Sequence, residues 1–240
     1  MKIENAIILA AGRGSRMKEL TADKPKCMVE INNKSIIQRT IEVFKYKNIN
    51  NIIVITGYQS DKLKKHLKSI DESIKVIENP VWNETNSIFS MFLASKYLKN
   101  SIVIDSDIYI NNVDCILNDV EYSGYSALKD KKPSEWQLTL DKNANFIEKV
   151  QFDGNYERAL PIIDISYWLE KDAEIIIAHI RDIVTHGKSE AAQKFWDEIP
   201  LIDFLHQLRL KRYDIEKTDA MEFDTPEEFE KVRKIVCLAD

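Results

Sequence analysis

The chain has 240 residues, of which 44% are hydrophobic and 30% charged, a composition typical of one globular domain. Its formal net charge of −5 argues against a general nucleic-acid-binding protein, since such proteins usually present a basic face. No apolar run approaches the ~20 residues of a membrane-spanning helix, and three scattered cysteines without a targeting segment favour a cytoplasmic protein with reduced thiols.

The first predicted element is a short buried strand, Ala6–Leu9, because its apolar run is too brief and too β-branched for a helix. A loop rich in glycine and cationic side chains follows it. Glycine allows positive φ and close approach of a ligand to the backbone, and amides and cations donate to phosphate oxygens. We therefore predict that the loop binds a polyphosphate. The nucleotide-binding residues predicted here are Leu9, Ala10, Ala11, Gly12, Arg13, Gly14, Ser15, Arg16 and Lys26.

This loop differs from two common phosphate-binding loops. The dinucleotide fingerprint requires a third glycine at the position that Met17 occupies. The Walker loop ends in Gly-Lys-Ser/Thr, a tripeptide that the sequence lacks. The loop therefore belongs to neither class.

Strands and helices then alternate along the chain. Strands are predicted at 51–56, 74–77 and 101–104, and helices begin at Ser35 and Ser60. Such alternation predicts an α/β fold, with a Rossmann-like, mostly parallel twisted sheet flanked by helices. In such sheets ligands lie outside the carboxyl ends of the strands, where the first loop also lies.

Two further groups of polar residues follow predicted strands. Gly57 closes the second strand, and Asn86 and Ser87 stand ahead of a predicted helix, where they can read the edge of a base. The alternative, that Asn86 or Ser87 only caps that helix, stays open. Asp105 and Asp107 follow the strand at 101–104 and point to the same side if the extended geometry persists. Carboxylate oxygens are the ligands that Mg²⁺ prefers, although one of the pair can instead hold an amide or an arginine.

From Ser123 onward, apolar and polar residues alternate with the period of half-exposed antiparallel strands. Such strands are predicted at 125–128, 135–140 and 146–150, followed by a strand at 161–165, two helices at about 169–184 and 191–209, and a strand at 212–216. We expect one domain, 1–240, with a nucleotide-binding half at 1–120, a smaller antiparallel lid and acceptor-binding subregion at 121–220, and a closing segment at 221–240.

The closing segment carries Asp224 ahead of Thr225-Pro226 and a predicted helix. Proline suits the first helical turn, and an aspartate before it makes a good N-cap. A metal-binding role for Asp224 does not follow from this pattern alone.

The motif Leu-Ala-Ala-Gly-x-Gly-Ser-Arg at 9–16, followed by Pro25-Lys26, resembles the signature of sugar-phosphate-type nucleotidyltransferases. The resemblance implies that Asp107 and Asp224 bind Mg²⁺, whereas Asp105 belongs to the nucleotide site. It implies an in-line attack of an acceptor phosphate on the α-phosphorus of a nucleoside triphosphate. Lys26, Arg16 and Asp107 are then the catalytic residues, with Lys26 and Arg16 stabilising phosphate charge.

Within this superfamily the chain most resembles bacterial CTP:phosphocholine cytidylyltransferases, a likeness that includes the helix start at Asn86 and the pair Glu135-Trp136. It implies CTP as the donor, phosphocholine as the favoured acceptor, and a role in cell-surface glycan biosynthesis. Aromatic faces and carboxylates bind quaternary ammonium groups, although each tryptophan can also be packing. The acceptor-binding residues predicted are Glu135, Trp136, Tyr167, Trp196, Asp197 and Glu216.

Alternatives remain for the acceptor. Arg158 is an unexpected cation near a choline pocket and is compatible with another amine-bearing phosphate or phosphonate, such as 2-aminoethylphosphonate or a phosphorylated amino-acid derivative. A sugar-1-phosphate nucleotidyltransferase would share the same metal and phosphate residues. A non-catalytic homologue would lack a metal aspartate or the loop lysine, and this chain has Lys26, Asp107 and Asp224. We expect no nucleic-acid or membrane partner; the oligomeric state stays open, with a homodimer among the options.

Overall fold

The computed structural model of the chain describes residues 1–130, 136–152, 154, 156, 159–186 and 193–238. Its strands are β1 Asn5–Ala10, β2 Glu30–Ile31, β3 Lys34–Ser35, β4 Asn51–Thr56, β5 Lys75–Glu78, β6 Ser101–Asp105, β7 Ile108–Ile110, β8 Gly124–Leu128, β9 Gln137–Leu140, β10 Ile147–Gln151, β11 Leu160–Trp168, β12 Lys211–Ile215 and β13 Ala220–Glu222. Its helices are α1 Ile36–Tyr46, α2 Ser60–Ile70, α3 Ser87–Ala94, α4 Glu170–His186 and α5 Pro226–Cys237. Within the described ranges, every helix is too short or too polar to span a bilayer.

Nine of these strands form one sheet in the order β10-β9-β11-β6-β1-β4-β5, with β8 beside β11 and β12 beside β8. The strands β6, β1, β4 and β5 are parallel, which confirms the predicted α/β fold. β11 then runs antiparallel to β6, and β9 antiparallel to β11. The antiparallel strands therefore extend the sheet that the parallel strands form, so both halves of the chain contribute to one continuous sheet.

The parallel strands are buried on both faces because helices cover each side. On β1, Ile8 belongs to one hydrophobic cluster and Ile7 to the other, as the period of two dictates. The first cluster includes Phe44 of α1, and the second includes Met91 of α3 and Ile176 of α4. Two packed layers thus fix the strand ends that carry the loops.

A smaller cluster ties the end of the chain to the first loop. Strand β13 pairs antiparallel with β7, which directly follows the Asp105–Asp107 turn. Phe223 is buried with Met17 from the loop and Phe229 from α5. This packing brings residues 222–224 beside the carboxyl end of β6.

Two predictions for the second half differ from the structure. β8 is not half-exposed: Tyr125 and Ala127 are buried against one cluster and Leu128 against the other, because helices and neighbouring strands cover both faces. The helix predicted at 191–209 is wrong over its described part, which contains only short helical turns at Ile199–Asp203 and Leu205–Gln207. Pro200 explains this difference, since proline has no N–H to donate and its ring clashes with the preceding turn.

Candidate active site

A cleft of about 550 Å³ opens at the carboxyl ends of β1 and β6. It lies where parallel α/β sheets generally bind ligands. Most of the predicted site residues line it, from both halves of the chain. They are Leu9, Ala11, Gly12, Gly14, Ser15, Arg16, Lys26, Asn86, Ser87, Asp105, Asp107, Trp136, Asp197 and Asp224.

The two glycines of the first loop have different structural roles. Gly14 has φ +61°, a conformation that suits glycine, and a Cβ there would lie 3.0 Å from the Cβ of Lys26. A Cβ on Gly12 would meet no heavy atom within 4 Å. Gly14 therefore allows the loop to pack on Lys26, whereas the open side of Gly12 leaves space for a ligand.

Lys26 is the central cation of the cleft. Its side chain is only 7% exposed, and its Nζ lies 2.9 Å from Asp107 Oδ2 and 2.8 Å from Asp224 Oδ1. Burial alone would lower the pKa of Lys26, but the two carboxylates together outweigh it and raise that pKa above its usual value. The ammonium therefore stays charged, and its stem is fixed by the loop.

Three carboxylates surround this position. Oxygen atoms of Asp107, Glu222 and Asp224 all lie within 4.8 Å of one another. Arg16 Nη2 also lies 2.8 Å from Asp224 Oδ1. A set of hard oxygen donors at this spacing can hold a divalent cation.

Glu222 was not predicted from the sequence. It precedes Asp224 by two residues, as Asp105 precedes Asp107, so the argument used for the first pair would have found it. The alternative role for Asp224 as a helix cap is not what the structure has. Thr225 caps α5, because its Oγ1 accepts from the Glu228 N–H at 3.2 Å and the Glu228 carboxylate accepts in return.

At the start of α3, the structure shows the capping role that was considered for the polar run. The Asn86 side chain caps the helix by accepting from the Ser87 N–H at 2.8 Å, and both residues also line the cleft. Ser87 Oγ accepts from the Trp196 N–H at 3.0 Å, and Asn86 Nδ2 donates to the Gln193 carbonyl at 3.3 Å. The helix start thus contacts residues 193–196 of the second half of the chain.

The cleft also has an aromatic and acidic part, here called the acceptor end, which consists of Trp136, Phe195, Asp164 and Asp197. Phe195 is 52% exposed. Tyr125 donates its hydroxyl to Asp197 Oδ1 at 2.8 Å. Asp164 and Phe195 were not predicted, because neither belongs to a recognisable motif.

Two carboxyls that line the cleft, those of Asp105 and Asp197, have strongly shifted pKa values. Burial, and then the negative charge of Asp164, raise the pKa of Asp197 well above its usual value. The same two causes, in the same order, raise the pKa of Asp105 well above its usual value. Ionisation of both carboxyls is therefore unfavourable unless a cation lies beside them.

Three predicted acceptor residues do not line the cleft, which corrects the predicted set. Tyr167 is fully buried, and its hydroxyl accepts from the Leu117 N–H at 3.2 Å. Trp196 is 2% exposed and packs in the core, while Glu216 pairs with Lys129 at 2.8 Å on the surface. The sequence pattern does not show how deeply each of these aromatic rings is buried. Glu135 and Arg158 lie outside the described residues.

Three predicted nucleotide-binding residues also lie outside the lining of the cleft. Ala10 is buried in the core, and the Arg13 guanidinium lies over the Tyr58 ring at 5.7 Å. A Cβ on Gly57 would lie 2.6 Å from both the Ala11 carbonyl oxygen and Trp82 Cβ. Gly57 therefore supports the loop from behind.

Comparisons with known proteins identify the family of the chain. The choline-phosphate cytidylyltransferase of Streptococcus pneumoniae is 30% identical over 234 residues, covering 96% of this chain and 97% of that protein. Its counterpart in Haemophilus influenzae is 28% identical over 229 residues, 95% of each chain. The solved CTP:phosphocholine cytidylyltransferase of Streptococcus pneumoniae has a TM-score of 0.87 at 28% identity, covering 98% of this chain and 100% of that one. A family model for nucleotidyl transferases matches residues 5–132, and the chain belongs to that family.

Proposed function

We propose that this protein transfers the cytidylyl group of CTP to phosphocholine, forming CDP-choline and releasing pyrophosphate. The similarity to choline-phosphate cytidylyltransferases over nearly the whole chain supports this reaction. The arrangement of charge in the cleft supports it independently.

The observation that carries the proposal is that one cleft holds both kinds of binding group. The cations Lys26 and Arg16 line it together with the Trp136 ring and the carboxyls of Asp164 and Asp197. Phosphocholine has the matching parts, an anionic phosphate joined by a short linker to a quaternary ammonium. An aromatic face with nearby carboxylates is the usual environment for such a cation.

The residues present also fit Mg²⁺. Asp107, Glu222 and Asp224 supply three oxygen donors, and Mg²⁺ usually takes one or two carboxylates together with substrate phosphates and water. When bound, the ion would neutralise phosphate charge and help to orient the reacting groups. Lys26 and Arg16 already contact these carboxylates, so the cations and the acidic cluster lie at one place.

In this reaction an oxygen of the acceptor phosphate bonds to the α-phosphorus of CTP, and the bond from that phosphorus to the pyrophosphate oxygen breaks. No covalent enzyme intermediate is required. The loop amides at Gly12 to Ser15 hold the triphosphate, and Lys26 stabilises charge on the transferred phosphoryl group. Arg16, the more exposed cation, stabilises the departing pyrophosphate.

A second acceptor class follows from the same end of the cleft. The carboxylates of Asp164 and Asp197 can accept hydrogen bonds from a primary ammonium, whereas a trimethylammonium group has no proton to donate. An amine-bearing phosphate or phosphonate therefore remains the alternative, and Trp136 distinguishes the two. An aromatic face favours the quaternary group.

The test is pyrophosphate release with Mg²⁺ and CTP against phosphocholine, phosphoethanolamine, 2-aminoethylphosphonate and glucose-1-phosphate, with other nucleotides in parallel. We expect preference for CTP with phosphocholine, and a larger loss with phosphocholine than with phosphoethanolamine when Trp136→Leu is introduced. Turnover confined to a primary-amine acceptor would transfer the proposal to that class. Turnover with glucose-1-phosphate alone, or no turnover with any of the four acceptors, would overturn the proposal.

A further inference from the structure

We propose that Ser87 and Tyr125 are positioning residues that hold residues 193–197, here called the acceptor segment, so that Phe195 and Asp197 face the acceptor. This inference rests on the proposed function only for the identity of the acceptor. It assigns Ser87 to the acceptor site through its contact with this segment, although Ser87 lies at the start of α3 on the nucleotide side.

The acceptor segment alternates between the cleft and the core. Phe195 and Asp197 line the cleft, whereas Trp196 between them is buried. The centroid of the Trp196 ring lies 5.7 Å from that of the Trp168 ring and 6.5 Å from that of the Tyr125 ring. The buried indole therefore sets which way its two neighbours point.

The acceptor segment precedes the helical turn at Ile199–Asp203, and its carbonyls accept from that turn. The Trp196 carbonyl accepts from the Ile199 N–H and the Asp197 carbonyl from the Leu201 N–H, each at 3.1 Å. The Trp196 N–H and the Gln193 carbonyl instead have their partners at the start of α3. Ser87 Oγ accepts from the Trp196 N–H at 3.0 Å, and Asn86 Nδ2 donates to the Gln193 carbonyl at 3.3 Å. The start of α3 thus fixes the segment at its middle and at its beginning.

Tyr125 fixes the side chain that faces the cleft. It is fully buried on β8, and its hydroxyl donates to Asp197 Oδ1 at 2.8 Å. A hydrogen bond to a carboxylate is stronger than one between neutral groups and directs the carboxylate plane. Tyr125 therefore fixes the orientation of the Asp197 carboxyl, which lines the cleft.

These contacts predict a kinetic pattern that separates positioning from nucleotide contact. Ser87→Ala and Tyr125→Phe should each raise the KM for the acceptor by about three- to tenfold, the order expected for the loss of one buried hydrogen bond. In Tyr125→Phe the KM for CTP should stay within about twofold of wild type, since Tyr125 does not line the cleft. Ser87→Thr keeps the hydroxyl and should restore the wild-type value.

Matched controls remove comparable hydroxyls elsewhere. Ser101→Ala deletes a buried hydroxyl that donates to the Leu98 carbonyl at 2.7 Å, and Tyr213→Phe deletes one that donates to the Tyr122 carbonyl at 2.7 Å. Neither group contacts the acceptor segment or lines the cleft, so both controls should keep the wild-type KM for the acceptor.

Hydrogen exchange of the Trp196 amide, followed by mass spectrometry, tests the same contact without any substrate. We expect exchange to accelerate in Ser87→Ala and to stay slow in Ser101→Ala. Unchanged protection in Ser87→Ala would overturn the proposal even if the wild-type protein turned over none of the acceptors. Inactivity of the wild-type protein would by itself contradict only the proposed function. A raised KM for CTP with an unchanged KM for the acceptor, or equal effects in the controls, would also overturn it.

Discussion

In the part of the cleft proposed to carry out the chemistry, here called the catalytic end, Lys26 lies between Asp107 and Asp224, and Arg16 contacts Asp224 from the more exposed side. At the acceptor end, burial and then the charge of Asp164 raise the pKa of Asp197, and the same two causes raise the pKa of the neighbouring Asp105. The two aspartates of the first end are paired with cations, whereas the carboxyls of the second have their pKa raised by burial and by one another.

This difference indicates two ways of preparing a site. The catalytic groups hold one another in place before any ligand arrives, which reduces the reorganisation needed for phosphoryl chemistry. At the acceptor end, burial and neighbouring charge make ionisation of the carboxyls unfavourable, so the binding of a cation favours their charged form. We therefore expect substitutions at the first end to reduce turnover and substitutions at the second to change affinity and stability.

The largest effect should come from removing the cation at the centre of the first end. Lys26→Ala should lower kcat by about 10²- to 10³-fold, as the loss of one positioned charge-stabilising donor does in other enzymes, with a small change in the KM for CTP. Pyrophosphate-release kinetics measure both quantities.

The surface pair of Lys34 with Glu42 offers a control, because Lys34→Ala removes the same side chain far from the cleft. That variant should keep its wild-type kcat. Turnover within a few-fold of wild type in Lys26→Ala would remove this lysine from the chemistry and would end the distinction between the two ends.

A smaller effect should distinguish the three carboxylates of the catalytic end. Glu222→Gln and Asp224→Asn should each raise the Mg²⁺ concentration for half-maximal activity, by about tenfold or more, because each removes one charged oxygen donor. Metal titrations at saturating CTP measure this shift.

Glu228→Gln is the matched control for the metal titration, since Glu228 belongs to the capping box of α5 and is not one of the three clustered carboxylates. Its Mg²⁺ requirement should match wild type. An unchanged requirement in Glu222→Gln would assign the metal to the two aspartates alone.

The two ends also differ in how far the sequence predicts them. Asp107 and the glycine loop follow closely after strands, where local spacing fixes which groups meet at one sheet edge. Glu222 obeys the same rule and was overlooked. A mostly parallel sheet follows from the alternation of strands and helices, and it was predicted for that reason.

The acceptor end depends on contacts between distant parts of the chain. Asp164 on β11 and Phe195 after α4 reach the cleft only because β11 pairs with β6 and Trp196 is buried in the core. Periodicity does not show which aromatic ring is buried, so Tyr167 and Trp196 looked the same as Trp136. Whether an aromatic ring is buried in the core or lines the cleft, rather than its residue type, decides its role.

The smallest effect concerns stability at the acceptor end. Because the pKa of Asp197 is raised in the folded state, that state keeps a proton which the unfolded chain loses near pH 4. Above that pH the unfolded state binds fewer protons, so the free energy of unfolding falls as pH rises, until the folded-state pKa is passed. Asp197→Asn cannot ionise, yet its amide oxygen can still accept from Tyr125.

We therefore expect Asp197→Asn to be more stable than wild type at pH 8, by about 1 kcal/mol, the size of an ordinary single-substitution effect. The difference should shrink toward pH 4. Urea unfolding at several pH values measures it, with Asp23→Asn, at a largely exposed aspartate, as the control. Parallel pH profiles of the free energy of unfolding for wild type and Asp197→Asn would contradict the idea that ionisation of Asp197 destabilises the folded protein. Convergence at low pH, together with weaker binding of phosphocholine, would mean that the same carboxylate destabilises the free protein and attracts the acceptor cation.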